Sequence, residues 1–173
     1  LDMRLDDRLD TTAADLVNRL GESELANLIY DHSQEHFSRR IAKRICQARR
    51  EKRITTVAQL VKLVCSAMGV PPHGHRGRIH PATRTFLSLR IIVNHEVENL
   101  KSLLSAAPRR LKAGGRLAII SFHSGEDRLV KQGLLDWQRQ GVYEIITKKP
   151  VQASSEEQKQ NPRARSAKLR VAV

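Results

Sequence analysis

Residues Leu111 to Lys131 read LKAGGRLAIISFHSGEDRLVK, and the change of pattern inside this stretch decides the fold class. After Gly114-Gly115 the run Arg116 to Phe122 is almost continuously apolar, as a strand buried on both faces of an α/β sheet would be. Ser124 with Asp127 predicts the cap of a helix reaching about Arg139. Further on, Val142 to Thr147 reads as a second strand and Ala167 to Val173 as a third, with a polar basic loop from Lys148 to Ser166 between them. Helix, Gly-Gly turn, apolar strand, helix is the order of the closing half of a doubly wound α/β domain. Ligands in such sheets collect beyond the carboxyl ends of the strands, beside helix N-termini that offer free N–H groups. Ser121, His123, Ser124, Glu126 and Asp127 fall at that edge. Read locally, Ser124 and Asp127 are only caps and His123 a surface turn residue. No G-x-S-x-G elbow surrounds Ser124, which speaks against a Ser/His/Asp hydrolase.

Upstream the period is helical. Thr12 with Asp15 forms a capping-box pattern ahead of Ala13, Leu16, Val17 and Leu20, and Gly21 reads as a stop. A short helix follows from Ser23 to Tyr30. The next, about Phe37 to Arg50, sets Phe37, Ile41, Ala42, Ile45 and Cys46 on one side and Arg39, Arg40, Lys43, Arg44 and Arg50 mostly off it. Thr56 with Gln59 caps a ladder of Val57, Leu60, Val61, Val64, Cys65 and Met68 that Gly69, Pro71 and Pro72 end. PPHGHRGRIHP, from Pro71 to Pro81, reads as a loop. One long helix is predicted from about Ala82 to Leu104.

The chain has 173 residues, 31 Lys+Arg against 18 Asp+Glu and a net charge of +13. No apolar stretch approaches the roughly 18 residues of a membrane span. Cys46 and Cys65 make neither a disulfide framework nor a zinc finger, so a cytoplasmic setting is expected. His73, His75 and His80 share a Pro/Gly loop without a paired Cys or carboxylate, and no metal site is predicted there; with Arg76, Arg78 and Arg84 they suit phosphates or solvent. Charge is more informative. Arg39 to Arg53 holds eight Lys/Arg and one acid, Lys148 to Arg170 seven and two. Two such clusters point to nucleic acid, whose phosphates supply sequence-independent affinity. Only six aromatics are present, and Phe37, Phe86, Phe122 and Trp137 read as core. That speaks against a stacking platform for single strands and for shape reading of folded RNA.

Six stretches carry a resemblance. They are LDMRLD from Leu1, TAADLVN from Thr12, SRRIAKRI from Ser38, HPATRTFLSLRIIVNHE from His80, LKAGGRLAIISFHSGEDRLVK from Leu111 and KKPVQASSEEQKQNPRARSAKLR from Lys148. In that order the chain resembles the bacterial ribosomal RNA small subunit methyltransferase H enzymes, with SFHSxEDR and NPRARSAKLR the most specific pieces. The resemblance implies an α/β fold: the C-terminal part of a class I, Rossmann-like methyltransferase sheet plus an inserted all-α domain. Residues 1–10 would end the N-terminal Rossmann-like segment, 11–80 form the helical insertion, and 81–173 close the sheet.

It also implies S-adenosylmethionine-dependent methylation of N4 of a cytidine in the decoding region of 16S rRNA. Partners would be 16S rRNA and the small ribosomal subunit, with no membrane and no metal; a homodimer stays open. Such a transfer is an in-line displacement at a sulfonium methyl, so orientation carries most of the work, and the base must leave its stack. No cofactor-binding residue is expected in this chain. The glycine-rich loop is expected upstream of Leu1, since Gly114-Gly115 precedes a strand rather than following one. Alone, the chain is expected to be incomplete and inactive, with an open sheet edge and an uncovered face. The catalytic residues stay unassigned; His123, Ser124, Glu126 and Asp127 are candidates for the pocket edge, and Arg39, Arg40, Lys43, Arg44, Arg163 and Arg165 for holding RNA phosphates. The alternative is a non-catalytic basic RNA-binding or ribosome-assembly factor derived from a methyltransferase. A basic helical DNA-binding protein would leave the strands unexplained.

Overall fold

A computed structural model describes residues 1–72 and 79–173. His73, His75, Arg76 and Arg78 lie outside the described residues. Two compact units are found, Leu1–Glu96 and Val97–Val173. Among the described residues no helix is long and apolar enough to cross a membrane.

The first unit is helical: α1 (Ala13–Arg19), α2 (Glu22–Ser33), α3 (Ser38–Glu51), α4 (Val57–Met68) and α5 (Thr83–Val93). Both expected capping boxes form. The Thr12 hydroxyl accepts the Asp15 N–H at 3.1 Å while the Asp15 carboxylate accepts the Thr12 N–H at 3.1 Å, and Thr56 with Gln59 does the same for α4. Each box satisfies two of the amide donors that a helix start leaves orphaned. Gly69, with φ 72°, closes α4 in the left-handed region that a side chain would strain. Gly21 stands at the N-cap of α2 rather than as a bare stop. Helix α2 packs on α3 and α5, and α3 on α4. Between them Val17, Leu25, Ile29, Ile41, Ile45, Leu60, Val64 and Leu89 are buried. Cys46 and Cys65 are buried free thiols, and burial pushes the Cys65 thiol up, which keeps it protonated and inert.

The expected long helix from Ala82 is two: α5 ends at Val93 and α6 spans Glu96–Ala106. His95 has φ 51°, a left-handed turn that no helix continues through. The buried Asn94 explains the break. Its amide N–H groups donate to Met3 O at 2.8 Å and Arg90 O at 2.9 Å, and its carbonyl accepts the Leu5 N–H at 2.7 Å. One side chain thereby pins LDMRL to the end of α5.

In the second unit β1 (Leu117–Ser121) pairs antiparallel with β2 (Lys168–Ala172), from Leu117 opposite Ala172 to Ser121 opposite Lys168. β1 follows a turn in which Gly114 has φ 76° and a Cβ on Gly115 would lie 2.8 Å from Lys112 O, so neither site accepts a side chain freely. The other edge of β2 carries residues 144–147, with Ile145 bridged to Ala172. Val142 to Thr147 is thus a paired segment rather than a full strand. Helix α7 (Ser124–Arg139) packs on both strands, burying Val130, Leu134, Tyr143 and Ala172, with Leu117, Ile119 and Trp137 alongside. A six-residue helix α8 (Ser155–Gln160) sits in the basic loop.

Two expectations for this sheet are corrected. β1 is not buried on both faces: Leu117 and Ile119 face the α7 cluster, while Ala118 is exposed and Ile120 is 57% exposed. Nor is β1 in a parallel pair among the described residues, for its partner there is β2. Among the described residues of this unit, nothing covers the face carrying Ala118 and Ile120 and no strand pairs with the second edge of β1. A mixed helix and small-sheet architecture is what the described residues establish.

Candidate functional site

Two places gather the chemistry, one in each unit. The first is the junction where β1 runs into α7. Ser121 is buried at the strand end; Phe122 is 55% exposed and is no core residue. The cap of α7 is His123, one residue earlier than expected. His123 Nδ1 accepts the Glu126 N–H at 3.3 Å, and Glu126 reciprocates by accepting the Phe122 N–H at 2.9 Å. This differs from a capping box, since Glu126 takes the N–H of Phe122 rather than that of the cap residue, and Ser124 is left exposed on the first turn. Because Nδ1 accepts, the ring proton is assigned to Nε2. That atom is 3.5 Å from Glu126 Oε1. The contact is an ion pair only if the ring is protonated and is too long for a good hydrogen bond, so buried Nε2 has no hydrogen-bond partner among the described residues.

Asp127 turns the other way. Its carboxylate accepts Arg170 Nε at 2.7 Å and a terminal guanidinium nitrogen at 3.3 Å, with Lys168 Nζ at 3.5 Å. The Arg170 hydrogen bond, aided by the Arg170 and Lys168 charges, holds the Asp127 carboxyl below its ordinary 3.8 against the opposing effect of burial. Asp127 is therefore engaged in tying α7 to β2. Sequence reasoning missed this because the partner lies 43 residues away. Arg163 and Arg165 stand exposed on the short 3-10 turn Pro162–Ser166, apart from that tie.

The second place is the outer face of α3. Arg39, Arg40, Lys43 and Arg44 are all exposed. Arg40, Lys43 and Arg44 line a shallow groove with Gln47, Ser66 and Ala67. None of the four cations makes an ion pair with a described carboxylate, whereas Arg4, Arg8, Arg19, Arg53 and Arg90 of the same unit all do. Phe37 is 37% exposed and lies at the N-cap of α3, in front of the apolar stripe rather than within it. The Arg40 guanidinium carbon stands 5.3 Å over its ring. His80 serves locally: its Nδ1 accepts the Ala82 N–H at 3.1 Å.

S-adenosylmethionine, the expected donor, finds no fit in this arrangement. Among the described residues no glycine-rich loop follows a strand, and β1 continues into Phe122 and the His123 cap, where the Phe122 and Glu126 amides are engaged by side chains.

Comparison with known proteins places these features in a family. Residues 1–173 match the MraW methylase family. The ribosomal RNA small subunit methyltransferase H of Acidobacterium capsulatum is 52% identical over 172 residues, 99% of this chain and 56% of the relative. That of Koribacter versatilis is 52% identical over all of this chain and 54% of its own length, and that of Persephonella marina 48% identical over 99% and 58%. The chain thus spans about half the length of the curated relatives it matches. With the family match running from the first residue to the last and half the positions identical, this chain belongs to the MraW methylase family.

Proposed function

We propose that this chain is the RNA-holding and sheet-closing part of an S-adenosylmethionine-dependent methyltransferase acting on N4 of a cytidine in the decoding region of small-subunit ribosomal RNA, in the cytoplasm. The observation that carries the reading is the end-to-end family match to relatives named for that RNA. The unpaired cations of α3 support it physically. In this reading 1–10 and 81–173 belong to a Rossmann-like sheet and 11–80 to a helical insertion. β1, with one edge free of described strands and one face bare, continues into strands supplied by the rest of the longer protein, which also binds the donor. His123, Ser124 and Glu126 border the substrate side. Asp127 is a positioning residue that fixes α7 through Arg170, and Arg39, Arg40, Lys43, Arg44, Arg163 and Arg165 hold phosphates.

The test is methyl transfer by the full-length protein to small subunits that lack the modification, followed by nucleoside mass spectrometry. Label on the exocyclic amine of a cytidine is expected; its absence refutes the activity. Replacing Arg39 and Arg40 together by Ala should weaken RNA binding and flatten its salt dependence by about 0.7 for each phosphate of a single strand that is no longer gripped. Unchanged salt slopes remove that role.

A second reading, a non-catalytic RNA-binding or assembly factor, uses the same exposed α3 cations. Calorimetry separates the two. A full-length protein that binds S-adenosylmethionine supports the enzyme, and one that binds RNA but no donor supports the factor.

A further inference from the structure

The sequence pattern assigns Phe37 to the core, yet the ring stands partly in solvent at the corner where α2 hands over to α3. It is not alone. Tyr30, at 43% exposure, presents its ring edge-on to exposed His36, with centroids 6.4 Å apart and planes at 62°. Arg40 then covers Phe37 at 5.3 Å. A guanidinium over a ring is held in place at little entropic cost, which leaves its outer face available. From this corner the exposed cations Arg39, Lys43 and Arg44 continue along α3 without a described carboxylate to neutralise them. Exposed π surfaces beside unpaired cations are what an unstacked nucleotide needs, a ring or guanidinium plane for the base and ammonium or guanidinium groups for the neighbouring phosphates. A double helix offers the phosphates but keeps its base faces covered.

We propose that Tyr30, His36, Phe37 and the guanidinium plane of Arg40 form a stacking platform for an unpaired nucleotide of RNA, with Arg39, Lys43, Arg44 and the N–H edge of Arg40 gripping the adjoining phosphates. This deepens the RNA-binding part of the proposed function and rests on it. It departs from the expectation that too few aromatics are available for stacking, because Tyr30 and Phe37 both stand partly in solvent near the α2–α3 turn.

The experiment measures binding of the full chain, by fluorescence anisotropy, to a uridine-rich single-stranded RNA and to a duplex of equal phosphate number. Phe37→Leu keeps apolar bulk and removes the π face. It should weaken single-strand binding roughly tenfold, the loss of one stacked base, and leave duplex binding within about twofold; Phe37→Tyr should restore it. A second readout needs no variant: single-stranded RNA carrying 5-iodouridine should cross-link under near-ultraviolet light to Tyr30, His36 or Phe37. Equal losses on both RNAs, cross-links mapping elsewhere, or equally tight binding of polyglutamate would overturn the platform. If Arg39→Ala/Lys43→Ala weakens binding while Phe37→Leu does not, the RNA reading stands and the platform falls. If the native chain binds neither RNA, both fall.

Discussion

Replacing Asp127 by Asn tests whether α7 is held to the sheet by one ion pair. The Arg170 side chain is 8% exposed and that of Asp127 13%, and two hydrogen bonds join them. Removing one partner of a buried pair strands the other charge and costs about 3–5 kcal/mol. Asn keeps an oxygen for one of the two bonds, and Lys168 admits water at its 31% exposed side chain, so the lower end, about 3 kcal/mol, is expected. Trp137 is the only tryptophan, and its indole N–H donates to Leu104 O at 2.9 Å, so its fluorescence reports on this unit during urea unfolding. With a slope of about 1.5 kcal/mol/M, the midpoint should fall by about 2 M. Asp127→Leu with Arg170→Met, which removes both charges and keeps apolar bulk, should recover most of the loss. The pH dependence supplies a second constraint. The folded Asp127 carboxyl is lowered from its ordinary 3.8, so its contribution is complete well above that value and disappears as pH falls through 3.8 and below. Native protein and Asp127→Asn should therefore converge in stability on acidification. A loss under about 0.5 kcal/mol at neutral pH, or one that persists unchanged in acid, would refute the tie.

Other perturbations follow from single interactions. Thr56→Ala removes the oxygen that accepts the Gln59 N–H and should cost about 1 kcal/mol in urea unfolding followed by circular dichroism; no change would mean the box is not formed in solution. Asn94→Ala breaks the bonds to Met3, Leu5 and Arg90, at about 1 kcal/mol each. It should speed hydrogen exchange at the Leu5 amide above all; unaltered exchange there would sink the assignment. His123→Ala should cost about 1 kcal/mol as a lost cap and lower methyl-transfer turnover with donor affinity nearly kept, while His123→Asn should restore stability but not turnover. Full turnover in the Asn variant would reduce His123 to a cap.

What the sequence discloses here depends on distance along the chain. Thr12 with Asp15 and Thr56 with Gln59 are legible because a capping box is complete within four residues. The buried stripe of α3 is legible because its apolar pair recurs one turn on, Ile41 and Ala42 followed by Ile45 and Cys46. The break between α5 and α6 is not, since apolar residues keep their spacing through it. Its cause is a side chain reaching Met3 and Leu5, about ninety residues away. Phe37 misleads for another reason: it fits the stripe in number but precedes the helix, so periodicity does not fix where it points. At β1 the continuous run Leu117 to Ser121 does match a strand covered on both faces; the described residues cover one. At the α7 start, Glu126 three residues after His123 is a local signal for His123 as the cap, hidden behind the stronger habit of reading Ser124 there.

In the proposed reading the ion-paired arginines of the first unit serve the fold and the α3 cations without a described carboxylate serve RNA binding. Exposed ion pairs such as Arg8 with Asp6 contribute little stability, so their absence on α3 is not a large energetic loss in itself. What α3 accepts is less usual. Arg39 with Lys43, and Arg40 with Lys43 and Arg44, are like charges three or four residues apart, each mildly destabilising. The first turn carries no acid, and the Phe37 cap supplies no side-chain acceptor, so two arginines meet the positive end of the helix dipole. Local rules of helix design are broken together on one exposed face while the opposite face, with Ile41, Ile45 and Cys46, packs normally. A chain tolerates such a cost where a partner removes it. In the proposed complex, a polyanion laid along α3 would neutralise the cations and the dipole end at once, turning the tension in the free helix into affinity.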